Sequence, residues 1–142
     1  MPAMPLVTGS MASGDRSTAI RMGAVMHYLV MGTVVFGITY GGLFAAFDED
    51  AWWFGAVLGL AHGVLVGLVF MPLMPMMHPR MSRSSSAAAA GGGTVRAETG
   101  GGVQLSAPGV FGKDWGAMTA PGLLGGHVVY GVVLALVYRW VA

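Results

Sequence analysis

An apolar run at residues 51–71 (AWWFGAVLGLAHGVLVGLVFM) constrains this chain more than any other stretch of its sequence. The run contains no acidic residue, no lysine and no arginine, and a helix of this length crosses the hydrocarbon core of a bilayer. Gly55, Gly59, Gly63 and Gly67 recur in it at every fourth position. That spacing leaves one face of the helix without side chains, so that another helix can approach closely. The run therefore predicts the central helix of a membrane bundle.

Two further runs, 22–47 and 121–141, are apolar over a comparable length. Only 9% of the chain is charged and 55% is hydrophobic, whereas about a quarter of the residues of a soluble domain are charged. We therefore predict an all-α integral membrane bundle of three transmembrane helices. Residues 21–81 form its first hairpin, and residues 112–142 form an interfacial segment followed by the third helix.

The segments outside these runs are polar or rich in small residues. Residues 1–20 are interrupted by prolines and are predicted to form a flexible tail without a removable signal peptide. Pro72, Pro75 and Pro79 are expected to end the second helix, because proline lacks the N–H that a helix interior requires. The Ser-, Ala- and Gly-rich residues 82–111 are predicted to form a long flexible linker between the second and third helices.

Basic residues are distributed unevenly around the three predicted spans. Arg139 lies at the far end of the third span, and the other Lys and Arg residues precede the first span or lie between the second and third. By the positive-inside rule, the N-terminus and the loop 72–120 are cytoplasmic and the C-terminus is outside, in a multi-pass protein of the inner membrane. The net charge of +1 gives no basis for nucleic-acid binding, and the absence of cysteine excludes disulfides and thiolate sites.

One histidine lies in each predicted span: His27, His62 and His127. An ionisable residue within a membrane is costly to bury and is therefore a candidate for a function. Imidazole ligates both metals and haem, so these residues, with the nearby Tyr130, are candidates for a haem or copper site. Alternatively, each imidazole bonds a hydroxyl or carbonyl group of a neighbouring helix and serves packing alone. The sequence leaves both interpretations open.

Methionines are numerous, and their densest run is MPLMPMMHPRM at residues 71–81. Thioether sulfur is a soft ligand that suits Cu(I), so Met74, Met77 and His78 are candidate copper ligands. Methionine is also a flexible apolar filler of membrane helices. His78 lies among prolines and is equally consistent with a solvated loop residue. We therefore predict no cofactor, with haem or copper as the alternative.

The third span carries a stripe of residues that share one helix face. His127, Tyr130, Gly131, Leu134 and Tyr138 follow one another at i, i+3, i+4, i+7 and i+11. This G-H-x2-Y-G-x2-L-x3-Y pattern resembles a group of small bacterial and archaeal membrane proteins of unknown function, including the DUF6789-like and YagU-like families. The resemblance implies a helical membrane fold, often with four spans in those families, and implies no activity.

Glycines on all three spans are predicted to face neighbouring helices: Gly37, Gly41, Gly55, Gly59, Gly63, Gly67, Gly122, Gly126 and Gly131. They exceed what a three-helix monomer uses, so we expect a homo-oligomer or a subunit of a larger membrane complex. The sequence contains no nucleophile–base–acid set, which predicts a non-enzymatic, structural or accessory protein. One alternative is a transporter or channel component with a pathway lined by Thr33, Thr39, Tyr40 and His62. The other is a haem- or copper-binding protein that uses the intramembrane histidines.

Overall fold

The computed structural model describes residues 4–83, 95–100 and 102–142, and of residues 96–99 the backbone alone. Its elements in chain order are α1 (Met4–Gly9), α2 (Arg16–Phe47), α3 (Trp52–Met77), β1 (Val95–Thr99), β2 (Gly102–Leu105), a 3-10 segment (Val110–Trp115) and α4 (Thr119–Val141). Residues 84–94 and 101 of the predicted linker lie outside the described residues.

Three of these helices, α2, α3 and α4, are long and apolar enough to cross a membrane. The prediction of three such helices is thereby confirmed. Each helix extends beyond its predicted span, since α2 begins at Arg16, α3 continues to Met77 and α4 begins at Thr119. A tight turn joins α2 to α3, and in it Asp48 has a left-handed backbone with a φ of 51°.

The early start of α2 follows from a helix cap. Asp15 Oδ1 accepts a hydrogen bond from the Thr18 backbone N–H at 2.8 Å and another from the Ser17 hydroxyl at 2.8 Å. The first bond satisfies an N–H group that has no partner within the helix. The two bonds, chiefly the one from the Thr18 N–H, lower the pKa of Asp15 to about 2. The ionised Asp15 side chain therefore fixes where α2 begins.

Helix α3 continues past two prolines near its C-terminal end. The helix contains Pro72 and Pro75 and ends at Met77, so of the three prolines expected to end it only Pro79 lies beyond its last residue. The turn directly before Pro72, Val66–Phe70, is π-helical. Because proline has no N–H, a carbonyl group one turn earlier lacks its usual donor. Local π-helical changes give such carbonyl groups other partners, which allows membrane helices to contain proline.

A longer π-helical stretch, Val25–Phe36, occupies the middle of α2. Such turns are rare, mostly single, and frequent at functional sites. None of the 12 residues in this stretch is buried, although His27, Gly32 and Phe36 are half-buried. The middle of α2 therefore packs against the other helices through side chains at its edge rather than through a buried face.

Helix α3 packs on α4 through glycines. Gly55 lies against the carbonyl oxygen of Gly131, Gly131 lies against that of Gly55, and Gly59 lies against the carbonyl oxygen of His127. A Cβ atom at any of these three glycines would overlap the backbone of the other helix. A Cβ at Gly63 would lie 3.2 Å from the Cβ of His127. The two backbones therefore meet directly along the glycine face of α3.

Other predicted packing glycines have different surroundings. Gly67 lies against the ring of Phe111, in the 3-10 segment, rather than against a helix. A Cβ at Gly41 would lie 3.8 Å from the Tyr138 ring, which is an ordinary contact. Gly122 is half-buried near the start of α4. The glycine spacing thus indicates close approach in α3 but not which partner supplies it.

Several glycines of α2 and α4 face open space. Within the described part of the chain, a Cβ at Gly42, Gly125 or Gly126 would meet no atom within 4 Å. A Cβ at Gly37 would meet only the Gly32 carbonyl of its own helix, at 3.7 Å. Of the predicted packing positions, Gly37 and Gly126 therefore make no contact with another helix of the described chain.

A second packed region, which we call the cap, lies at one end of the bundle. It comprises α1, residues 78–83, the antiparallel hairpin of β1 and β2, and residues 106–116. The Leu105 N–H donates to the Arg80 carbonyl at 2.8 Å and joins the hairpin to the segment after α3. Buried side chains of the cap and the adjoining helix ends form one cluster: Leu6, Val7, Ala19, Met71, Met81, Val103, Leu105 and Trp115.

The cap corrects two expectations about segments read as flexible. The predicted tail 1–20 contains α1, whose Gly9 lies against the Ala19 carbonyl of α2. The predicted linker 82–111 contains the hairpin, and Val103 and Leu105 in it are buried. The few apolar residues of these segments are scattered among Gly, Ser and Ala, so composition alone does not reveal that they share a core.

Replacing Gly59 by leucine is expected to destabilise the bundle by about 1–3 kcal/mol or more, because the side chain would press on the α4 backbone. Gly125→Leu is the matched control, since that position faces open space within the described chain. The measurement is thermal unfolding in detergent, followed by circular dichroism. Equal stability of the two variants would contradict the close contact of α3 and α4.

Candidate functional site

The structure brings two of the predicted histidines into contact between α3 and α4. The rings of His62 and His127 lie edge to face, with centroids 4.6 Å apart and planes at 77°. Both side chains are half-buried. The contact depends on the neighbouring glycines, because Gly59 and Gly63 allow the backbone of α4 to lie beside His62.

Aromatic side chains of α2 complete the surroundings of His62. The Phe36 ring lies against it with centroids 4.1 Å apart, and the Tyr40 hydroxyl lies 3.3 Å from His62 Nδ1. Tyr40 also packs edge to face with Tyr130 at 5.6 Å. Phe36 was not a predicted site residue, since a phenylalanine in an apolar run carries no signal that separates it from its neighbours.

The hydrogen bonds of α4 orient the remaining members of this cluster. His127 Nδ1 donates to the Leu123 carbonyl of its own helix at 2.8 Å. The Tyr130 hydroxyl donates to the Gly32 carbonyl, within the π-helical stretch of α2. The predicted polar residue Tyr130 therefore joins α4 to α2, while Tyr40 joins α2 to α3. We call His62, His127, Tyr40, Tyr130 and Phe36 the imidazole cluster.

His27 lies in the π-helical stretch of α2. It is half-buried, and its ring packs on Tyr28 with centroids 5.2 Å apart. In the described part of the chain, no three histidine or acidic side chains converge as a metal site would require. A site formed jointly by His27, His62 and His127 is therefore not assembled in this structure.

The candidate copper ligands Met74, Met77 and His78 point in different directions. Met74 packs against the cap core, whereas Met77 is 70% exposed. His78 is only 4% exposed, so its interpretation as a solvated loop residue is wrong. The reason is that α1, read from the sequence as a flexible tail, covers it.

Both ring nitrogens of His78 have partners in the protein. Nε2 donates to the Val7 carbonyl at 2.9 Å and lies 3.2 Å from the Ser10 hydroxyl. Nδ1 accepts a hydrogen bond from the Arg80 backbone N–H at 3.1 Å. These bonds define a neutral imidazole with its proton on Nε2. Burial, the largest cause, holds the pKa of His78 below its usual value of 6.5.

The Ser10–His78 pair is not a catalytic serine–histidine arrangement. In such a pair the histidine nitrogen accepts the proton of the serine hydroxyl. Here the Ser10 hydroxyl donates to the Val7 carbonyl at 3.0 Å, and His78 Nε2 is already a donor to the same oxygen. Ser10 is also completely buried. The pair therefore joins α1 to the end of α3. The sequence does not reveal this contact, because the two residues are 68 positions apart.

The residues proposed to line a transport pathway do not share an interior surface. Thr33 and Thr39 are exposed and donate to carbonyl groups of their own helix, those of Tyr28 and Val35. Tyr40, by contrast, is 3% exposed and faces His62. In the single chain, the threonines thus lie on the outer surface of α2, away from the imidazole cluster.

Comparison of the chain with protein families, curated proteins and solved structures finds no match.

Tyr130→Phe is expected to lower the free energy of unfolding by about 1 kcal/mol, because the hydroxyl bond between α4 and α2 is lost. Tyr28→Phe is the control, since Tyr28 is 60% exposed. Thermal unfolding of the two variants in detergent provides the comparison. A Tyr130→Phe variant as stable as Tyr28→Phe would show that the bond does not hold the helices together.

The cap is expected to loosen as the pH falls. The pKa of His78 is lower in the folded protein than in the unfolded chain, so below pH 6.5 the unfolded chain binds more protons and stability decreases. We expect proteolysis near α1 to be faster at pH 5.5 than at pH 8, relative to the rest of the chain. In His78→Leu, cleavage should be fast at both pH values. A wild-type cleavage rate that does not change with pH would refute the prediction.

Proposed function

We propose that this protein is a non-enzymatic membrane protein, a helical bundle with a structural or accessory role. The observation that carries the proposal is the use of the polar residues within its long helices. Tyr40, His62 and Tyr130 bond or contact one another across α2, α3 and α4. Side chains that hold helices together in this way are the expected interhelical contacts of a membrane bundle.

The outer surface of the three long helices supports a location within the bilayer. Large apolar side chains on them are exposed, including Ile38 at 72%, Val129 at 63% and Phe47 at 65%. An aqueous protein rarely exposes such a continuous apolar surface. We propose that α2, α3 and α4 span the inner membrane, as the resemblance to DUF6789-like and YagU-like proteins also implies.

Sidedness is proposed from the basic residues. The N-terminus, through α1, and the segments between α3 and α4 meet in the cap, so they belong to the same side of the bilayer. Arg80, Arg83 and Lys113 follow α3 or precede α4. By the positive-inside rule we propose that the cap is cytoplasmic and the C-terminus external.

The unused glycines support assembly with a further helix. Gly42, Gly125 and Gly126 lie on the lipid-facing surface with open space in front of them. In membranes, small residues at such positions allow helices of different chains to approach. We therefore propose that the bundle forms a homo-oligomer or joins a larger membrane complex.

The experiment compares oligomeric state and folding in two leucine variants. Gly126→Leu is expected to keep the melting temperature of the parent protein in detergent, because no described atom opposes the new side chain. We expect it to reduce oligomerisation, measured by cross-linking in native membranes and by mass determination in detergent. Val129→Leu, which places the same leucine side chain at an exposed position of the same helix, is the control.

Two results would overturn the proposal. If the parent protein is a monomer in native membranes and co-purifies with no other protein, it lacks the assembly that a structural or accessory role requires. If the protein partitions into the aqueous phase after carbonate extraction, it does not span the membrane.

A further inference from the structure

The long helices are longer than the hydrocarbon core of an ordinary bilayer is thick. Helix α3 has 26 residues and α4 has 23. At 1.5 Å per residue, and slightly less in the π-helical turn of α3, these helices are about 38 Å and 35 Å long. The hydrocarbon core is about 30 Å thick. A tilt of about 20°, the average for transmembrane helices, shortens α3 by only about 2 Å.

The tryptophans at the end of the bundle away from the cap show which end holds the excess length. Trp52 and Trp53 begin α3 at that end, Trp140 lies near the end of α4, and all three are exposed. Exposed tryptophans are typical of the interface between a membrane and water. Counted from these residues, the roughly 20 residues that cross the core end near residue 72 of α3 and residue 121 of α4. The excess length therefore lies beside the cap.

Five methionines lie along or next to this excess length, and we call them the methionine collar. They are Met22 and Met26 on α2, Met76 and Met77 on α3, and Met118 directly before α4. All five are exposed, and those of α3 and α4 are each exposed by 70% or more. The end of the span beside the cap thus carries large apolar side chains where an ordinary bilayer has polar headgroups.

The collar continues the lipid-facing surface of the span. Segments 22–47 and 52–77 contain no acidic residue, lysine or arginine. Exposed apolar side chains such as Leu29 of α2 and Leu73 of α3 connect the collar with the middle of the helices. The first basic side chains beyond it are Arg21 and Arg80. The apolar surface therefore has no polar break at the depth where a core of about 30 Å would end.

The distribution of the collar over α2, α3 and α4 indicates what covers it. A protein partner covers one side of a bundle, whereas lipid surrounds it on every side, and the collar has members from all three helices. Methionine side chains are flexible and adapt to irregular apolar surroundings. We propose that the methionine collar contacts the acyl chains of long-chain lipids, so that the lipid partner of this protein is a bilayer thicker than average.

This inference rests on the proposed location of the helices within the bilayer and adds the thickness of that bilayer. In a thinner bilayer, the collar is exposed to water or the neighbouring lipids stretch, and both changes raise the free energy. Tilt alone is a poor remedy, because fitting about 38 Å of helix into about 30 Å requires a tilt close to 40°, the upper end of the observed range.

The test reconstitutes the purified full-length protein in phosphatidylcholine vesicles whose two monounsaturated acyl chains have 14, 16, 18, 20, 22 or 24 carbons. Flotation with the vesicles establishes insertion, and circular dichroism during heating gives the melting temperature. We expect the highest melting temperature with 20 carbons or more, about 5 °C above the value with 16 carbons. A maximum at 18 carbons or fewer, or a melting temperature independent of chain length, would overturn the inference.

Two variants test whether the collar causes this preference. Replacing its five methionines by glutamine, which is unbranched and of similar length but polar, is expected to move the maximum to shorter acyl chains. Replacing the same five by leucine is the matched control, because it keeps the surface apolar and should keep the maximum of the parent. The same response in both variants would show that the collar does not set the preferred thickness.

Flotation separates this inference from the proposed function. A protein that floats with the vesicles but is most stable in the shorter lipids still spans the membrane, and only the inferred thickness is then wrong. A protein that does not float with vesicles of any chain length contradicts the membrane location itself.

Discussion

The direct contact of the α3 and α4 backbones is the constraint on which the rest of the bundle depends. Because Gly55, Gly59 and Gly131 have no side chains, the two helices meet at van der Waals distance of main-chain atoms. This contact sets the lateral position of His62 and His127, whose rings could not touch across a wider interface. Helix α2 packs less closely on this pair, and its middle part is π-helical.

Two buried clusters lie on either side of the imidazole cluster. Away from the cap, Phe44 and Ala135 are buried next to Tyr40 of the imidazole cluster, with Phe54 and Tyr138 packed on them. In the cap, apolar residues from α1, the hairpin and the helix ends form the second cluster. In the described structure, the histidines therefore lie where polar groups of three helices meet, between these two apolar clusters.

The sequence was sufficient for the long helices and insufficient for the cap. Length and apolar composition alone predict three spans, and the four-residue glycine spacing predicts which face of α3 is bare. The ends of these helices were less predictable. The start of α2 at the Asp15 cap and the continuation of α3 through Pro72 both depend on local hydrogen bonds. The cap was missed because its contacts, such as Ser10 with His78, join residues that are distant in sequence and individually unremarkable in type.

The candidate site was likewise predictable from the sequence only in part. That each span carries one histidine is evident from the sequence, but which of the three lie together is not. The structure pairs His62 with His127, because the crossing of α3 and α4 decides which rings meet. The orienting groups, the Leu123 carbonyl and the Tyr40 hydroxyl, are set by helix geometry and by packing between helices.

The position of α1 has a consequence for how the protein is made. Its partners His78 and Arg80 are synthesised about 70 residues later, after both helices of the first hairpin. Until then, Leu6 and Val7 can pack only on the start of α2, because the other members of their core lie later in the chain. The burial of α1 is therefore completed late, when the cap closes on a chain whose first two long helices have already been made.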